Sequence, residues 1–155
     1  ANSLLTSSDG NRCGGGGSAG TLTHTQAESR LSRAGIDVHS TDSCSNRQVR
    51  TCTSLDSIKT KCIDDIIWFK QTSGCEITVT GGTEIGHDTS FTKSHWNGYK
   101  LDISLSGCLY LYIVENGRDH GFSYIGTRSD GSKKYRGPRG NVYAKEGNHW
   151  DIQYP

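Results

Sequence analysis

The sequence of 155 residues has no C-x-x-C pair, no long apolar run and only two prolines. Without a C-x-x-C pair, a structural zinc knuckle is not expected. Without an apolar run near the length of a bilayer crossing, no membrane partner is expected. The glycine run 14–17 lacks the Lys-Ser/Thr sequence of a phosphate-binding loop. A formal net charge of +1 argues against a nucleic-acid partner, because such partners usually require a strong basic excess.

The composition favours one loop-rich domain with a modest core. Twenty glycines, a hydrophobic fraction of 32% and a mean hydropathy of −0.63 are typical of a polar chain with many tight turns. The length suits a single domain. We therefore expect one domain over residues 1–155, acting as a monomer, with an irregular Gly/Ser-rich segment at residues 1–20.

Six cysteines in so polar a chain indicate an oxidising compartment and up to three disulfides. Six cysteines allow 15 pairings, and we predict Cys44–Cys52, Cys75–Cys108 and Cys13–Cys62. The chain begins at Ala1 rather than at Met, as a mature secreted protein does. An extracellular location is therefore expected.

The apolar periodicity predicts helices first and strands afterwards. One helix is expected over 27–34, stopped by Gly35. A second begins at Thr53 with a capping box to Asp56 and ends at Ser73-Gly74. A short helix is expected over 108–114, and Asp130-Gly131 signals a hairpin. Strands are predicted at 75–80, 99–105, 122–126, 141–144 and 149–154. This order predicts an α+β fold, with N-terminal helices packed on a small central antiparallel sheet.

Two short motifs each combine an acidic residue with a histidine. His95 and Asp102 are seven positions apart, and Glu146 precedes His149 by three. Two imidazoles and one carboxylate can hold a zinc ion with one open coordination position. A second carboxylate beside that position could take a proton from a bound water. Both motifs lie at predicted strand ends, so the pattern indicates a hydrolytic centre.

The pattern His-x6-Asp followed by Glu-x-x-His resembles zinc peptidases of the D-alanyl-D-alanine dipeptidase and carboxypeptidase type. That resemblance covers about residues 53–152. It implies zinc ligands at His95, Asp102 and His149, Glu146 as general base, and the α+β fold shared with lysostaphin-like peptidases and the hedgehog signalling domain. The family usually places an arginine after the strand that precedes the metal loop. Here Glu84 stands in that region, which weakens the case for peptide hydrolysis.

A second resemblance is to the catalytic domain of a group of secreted fungal muramidases. It is carried by Gly81-Gly82-Thr83-Glu84, Gly86-His87, the block 94–102 and Gly147-Asn148-His149-Trp150-Asp151. It implies lysozyme activity on bacterial peptidoglycan, between N-acetylmuramic acid and N-acetylglucosamine. Glycoside cleavage needs one protonated and one ionised carboxyl group. We expect Glu84, with a pKa raised by partial burial, to protonate the leaving oxygen, and Asp102 to be the ionised partner. Purely glycosidic cleavage requires no zinc.

Other residues have two interpretations. Trp96, Tyr99 and Trp150 flank the motifs and could form a sugar-stacking platform or belong to the core. His87 and Asp151 could contact substrate or make local polar contacts. A basic cluster could meet an anionic polymer or be a solvated loop: Arg128, Lys133, Lys134, Arg136 and Arg139.

Two further hypotheses stand beside muramidase activity. One is a zinc-dependent peptidase that cleaves peptidoglycan stem peptides. The other is a non-catalytic module that binds wall glycan through its aromatic residues.

Overall fold

The computed structural model describes residues 20–155 of the chain. The predictions for the irregular N-terminal segment 1–20, except for its last residue, and for Cys13 lie outside these residues. In the described part the fold mixes helices and sheet, which confirms the α+β class.

Three α-helices are present among residues 20–155. Helix α1 begins with a capping box in which Thr23 and Gln26 bond each other's backbone N–H groups, and it ends before Gly35. The predicted short helix is confirmed as α3, which continues into a π-helical turn, Leu111–Glu115, and a 3₁₀ turn, Gly117–His120. The helices are α1 (His24–Arg33), α2 (Thr60–Ser73) and α3 (Gly107–Tyr110).

Helix α2 begins at Thr60, so the predicted start at Thr53 is wrong. The Thr53 hydroxyl is bonded to the carbonyl oxygens of His39 and Thr80 and does not cap a helix. Ser57 then has a φ of 68°, which breaks any helical continuation. The predicted apolar stripe does form the buried side of α2, through Cys62, Ile63, Ile66 and Phe69.

Nine strands form two sheets among the described residues. Strands β1 (Thr21–Leu22) and β3 (Ile58–Lys59) pair with each other. The main sheet has seven strands in the order β2-β4-β5-β9-β8-β7-β6, so it is larger than the small sheet that we predicted. Its β2–β4 pair is parallel, and its other pairs are antiparallel. These strands are β2 (Asp37–Val38), β4 (Thr78–Gly81), β5 (Lys100–Ser104), β6 (Ser123–Thr127), β7 (Lys133–Arg136), β8 (Val142–Lys145) and β9 (His149–Gln153).

The two faces of the main sheet differ in character. Side chains alternate between faces along each strand. Leu101, Ile103, Trp150 and Ile152 belong to the hydrophobic core beside the helices. We call this the core face. Lys100, Asp102 and Asp151 occupy the alternate positions and define the site face.

Two of the predicted disulfides are confirmed. Cys44–Cys52 closes a short loop, and Cys75–Cys108 ties the segment after α2 to α3. Cys62 is buried, and its thiol donates to the Gly98 carbonyl. Burial raises the pKa of Cys62 to about 12. Its predicted partner Cys13 lies outside the described residues, so that pair stays a prediction. In the described region no helix combines the length and the apolarity that a membrane crossing requires.

Candidate functional site

Two buried aspartates lie opposite each other at the centre of the site face. In the register of β5 and β9, Asp102 pairs with Asp151, and Gly81 on β4 lies beside Asp102. The two aspartates are only 6% and 3% exposed. Two carboxylates this deeply buried need nearby cations, because burial penalises an uncompensated charge.

The His95 side chain supplies the first cation. Its Nε2 lies 3.2 Å from Asp102 Oδ1 and 3.3 Å from Asp151 Oδ1, and its Nδ1 is 2.8 Å from the Gly82 carbonyl oxygen. These neighbouring oxygens are acceptors, so they favour a ring that carries a proton on both nitrogens. Burial lowers the pKa of His95, but its contacts with the two aspartates outweigh burial and raise the pKa to about 10.

Two further cations contact the second carboxylate oxygen of Asp151. Lys100 Nζ lies 2.8 Å from Asp151 Oδ2, and Arg128 Nη2 lies 3.0 Å from the same atom. Burial tends to raise the pKa of Asp151, but hydrogen bonding to His95 and the charges of Lys100 and His95 hold it well below its usual range. Asp151 is therefore a fixed anion that organises three cations.

Glu84 is a third buried carboxylate of the cluster, and the raised pKa that we predicted for it is wrong. Its carboxylate accepts from the backbone N–H of Ser54 at 2.8 Å and of Gly82 at 3.1 Å, and contacts His87 Nε2 at 2.6 Å. Burial tends to raise the pKa of Glu84, but the hydrogen bonds from His87 and Ser54 outweigh it, so the pKa is lowered. Glu84 is only 3% exposed. These contacts make it an orienting group for His87 rather than a proton donor to substrate.

Glu146 and His149 form the more exposed rim of the cluster. His149 Nε2 lies 3.1 Å from Glu146 Oε1 and 3.7 Å from Asp102 Oδ2. Arg128 donates to the other oxygen of Glu146 at 2.8 Å. The Glu146 and His149 side chains are 27% and 25% exposed, against 8% for Asp102. The cluster is therefore open to solvent on the Glu146 side.

The histidines of the cluster do not fit a bound zinc ion in this arrangement. Among residues 20–155, ligand atoms of His87, His95 and Asp102 all lie within 4.8 Å of one another, so His87 replaces the predicted ligand His149 in this group. However, the His87 and His95 rings stack with centroids 3.7 Å apart and planes 18° apart. In-plane lone pairs of stacked rings cannot converge on one ion.

The predicted stacking platform is wrong for Trp150, and for Trp96 and Tyr99 it stays a prediction. Trp150 is fully buried in the core. The Arg47 guanidinium lies 3.6 Å from the centre of the Trp96 ring and covers it. The Tyr99 ring lies 5.1 Å from Lys59 Nζ, beside the start of α2. The sheet register places Trp150 on the core face because it follows His149 by one residue.

Two residues of the site, Lys100 and Phe91, were not identified as functional from the sequence, and Arg128 was identified only as a member of a basic cluster. Lys100 shares a face with Asp102, and this two-residue period is a signal that could have located it. Arg128 comes from beyond β6, and no local pattern links it to Glu146 or Asp151. Phe91 is 49% exposed, and its ring lies 5.4 Å from Lys100 Nζ. It is an exposed aromatic residue bordering the cluster.

The structure otherwise gathers the predicted polar residues into one cluster. Two segments distant in the chain meet there, so His95 and His149 both contact Asp102. The members that were predicted are Glu84, His87, His95, Asp102, Glu146, His149 and Asp151. The chain matches no protein-family model, and neither a curated protein nor a solved structure shows significant similarity to it.

Replacing Gly81 with Ala is expected to displace the Asp102 carboxylate. A Cβ at this position would lie 2.6 Å from Asp102 Oδ2 and 3.0 Å from Asp102 Cβ. A shift of about 1 Å in a catalytic group can cost about 10²-fold in rate, so we expect a loss of that order in turnover. Gly107→Ala is the control, because nothing lies within 4 Å of its Cβ position. Equal turnover in the two variants would contradict the placement of Asp102.

Proposed function

We propose that this protein is a secreted hydrolase that cleaves the glycan of bacterial peptidoglycan, as a muramidase does. The observation that carries the proposal is the pair of carboxyl groups on Asp102 and Glu146. Both lie beside the same atom, His149 Nε2, at 3.7 and 3.1 Å. Their nearest oxygens are therefore no farther apart than the sum of those distances, which suits the paired carboxyl groups of glycosidases.

The surrounding charges support different roles for the two carboxyl groups. Asp102 lies 3.2 Å from His95 on the buried side of the cluster, where a negative charge would stabilise a cationic transition state. Glu146 is the more exposed group and borders the open side of the cluster. In this proposal it is the proton donor, a role that requires it to carry a proton and to give up its ion pair with Arg128 when substrate binds. It protonates the glycosidic oxygen as the bond to the sugar carbon breaks, and Asp102 accepts a proton from the attacking water. Glu146 replaces Glu84, which we had expected in this role.

No step of this chemistry passes through a metal. The buried imidazolium of His95 occupies the position between Asp102 and Asp151 where a cation is needed. A zinc-dependent peptidase would require that proton to leave and the stacked pair of His87 and His95 to separate. Acid–base hydrolysis uses the cluster as it stands.

The substrate assignment rests on the resemblance to muramidases in the blocks 81–87, 94–102 and 147–151. An extracellular location agrees with the two disulfides, because such bonds persist mainly in oxidising compartments. Phe91, exposed beside the cluster, is a suitable surface for a sugar ring.

Digestion of purified peptidoglycan tests the proposal directly. We expect new reducing ends, formed at the same rate with and without a chelator. New amino groups that disappear on chelation would instead identify a zinc peptidase. Wall binding without either product would identify a non-catalytic module.

A further inference from the structure

The site face continues beyond the acidic cluster onto strands β8 and β7. The register aligns Asp102, Asp151, Ala144 and Lys134 in one row across four strands. The next row contains Lys100, Gln153, Val142 and Arg136. Residues paired in this way share a face of the sheet. Lys134 and Arg136 therefore lie on the same face as the cluster, in line with it.

These two cations differ from those inside the cluster. Arg128 is bound to Glu146 and Asp151, whereas neither Lys134 nor Arg136 forms an ion pair with another residue in the range 20–155. Lys134 is half-buried and Arg136 is exposed. Their neighbours Val142 and Gln153 are uncharged and half-buried. The outer part of the site face thus has positive charge that the fold itself does not neutralise.

The separation of the strands gives the distance between these cations and the acidic cluster. Neighbouring strands are about 4.8 Å apart, so Lys134 lies roughly 10 Å from Asp151, two strands away. Positions two apart on a strand are separated by about 7 Å, so Lys134 and Arg136 can contact one extended anionic segment. The net charge of the whole chain is only +1, so any attraction for an anion is local to this strip.

We propose that Lys134 and Arg136 form an anion-binding subsite for the substrate polymer, which crosses the strands from the cluster towards β7. This inference rests on the proposed function for its substrate, and names the feature of the polymer that is recognised. The ligand is an anionic group carried beside the glycan, roughly the length of a disaccharide from the bond that is cleaved. Carboxylates of the stem peptide and phosphodiesters of attached teichoic acid share this chemistry.

The chain contains a matched control for this subsite. Lys133 and Lys145 pair with each other across β7 and β8, in the same row as Ile103 and Trp150. They therefore lie on the core face, opposite the subsite. The double variants Lys134→Gln/Arg136→Gln and Lys133→Gln/Lys145→Gln remove the same charge, the first from the site face of β7 and the second from the opposite face of β7 and β8.

Binding to intact, purified walls is measured by co-sedimentation, with Asp102→Asn in every protein so that the polymer is not degraded. We expect the Lys134/Arg136 variant to bind roughly tenfold more weakly, as for the loss of two exposed ion pairs. The Lys133/Lys145 control is expected to bind as its parent does. Equal losses in the two double variants, or no loss in either, would overturn the subsite.

Two treated polymers distinguish the sources of the anion. Walls stripped of teichoic acid retain the peptide carboxylates, and walls whose free carboxyl groups are converted to amides with a carbodiimide and ammonium lack them. The penalty of the Lys134/Arg136 variant is expected to vanish on the polymer that lacks the recognised group. A penalty that persists after both groups are removed would refute anion recognition. The wild type is assayed separately for reducing ends: their absence refutes the hydrolase, whereas the binding difference between the two variants tests only the subsite.

Discussion

Replacement of Asp102 with Asn is expected to lower kcat by about 10³-fold or more, since a positioned acid or base contributes about 10²–10⁴-fold. The amide keeps the shape of the side chain but can neither stabilise a cationic sugar nor accept a proton. Asp102 is 6% exposed on a central strand and contacts His95, so the folding of the variant is checked together with its turnover. The release of reducing ends from purified walls measures the effect.

Glu146→Gln is expected to cause a comparable loss, because it removes the other carboxyl group beside His149. Asp37→Asn is the matched control: it changes an exposed carboxylate on β2, an edge strand of the same sheet. Circular dichroism checks that each variant is folded. Retention of most of the turnover by a folded Asp102→Asn protein would end the acid–base assignment made here.

The second large effect concerns stability. Replacement of Asp151 with Asn is expected to lower the free energy of unfolding by about 3–5 kcal/mol, the usual cost of removing one partner from a buried ion pair. Asp151 is 3% exposed, and its loss leaves Lys100 and His95 buried without a common counter-ion. The control is Glu76→Gln: the Glu76 side chain is 94% exposed in its pair with Lys70, so a change of at most about 1 kcal/mol is expected. Urea unfolding measures both.

The pH dependence of stability provides an independent test of the same cluster. The pKa of His95 is raised from 6.5 to about 10, so its contribution is complete below about pH 6.5 and is lost as the pH rises towards 10. The pKa of Asp151 is lowered from 3.8, so its contribution is present above pH 3.8 and is lost at lower pH. We therefore expect maximal stability between about pH 4 and 6.5. Stability that is constant from pH 6.5 to 10 would show that His95 is neutral in the folded protein.

The order of elements was predictable from local patterns. Alternation over 99–105 and 149–154 correctly located β5 and β9, and thus the face that carries Asp102 and Asp151. The start of α2 was misplaced because the Thr53 hydroxyl bonds two distant carbonyls, and no local pattern reveals such contacts. The state of Glu84 was misjudged for a similar reason: its lowered pKa depends on donors from Ser54, which is thirty positions away, and from His87.

The sequence by itself determined the α+β class and the residues from which a polar centre could be built. Those properties depend on periodicity and composition, which are local. Only the tertiary structure decided the raised pKa of His95, the contacts of Arg128 with Glu146 and Asp151, and the alignment of Lys134 with Asp102 across the sheet. These depend on charges and strand registers brought together across the sheet, and electrostatic interactions in a buried site are set by distance in space rather than by separation along the chain.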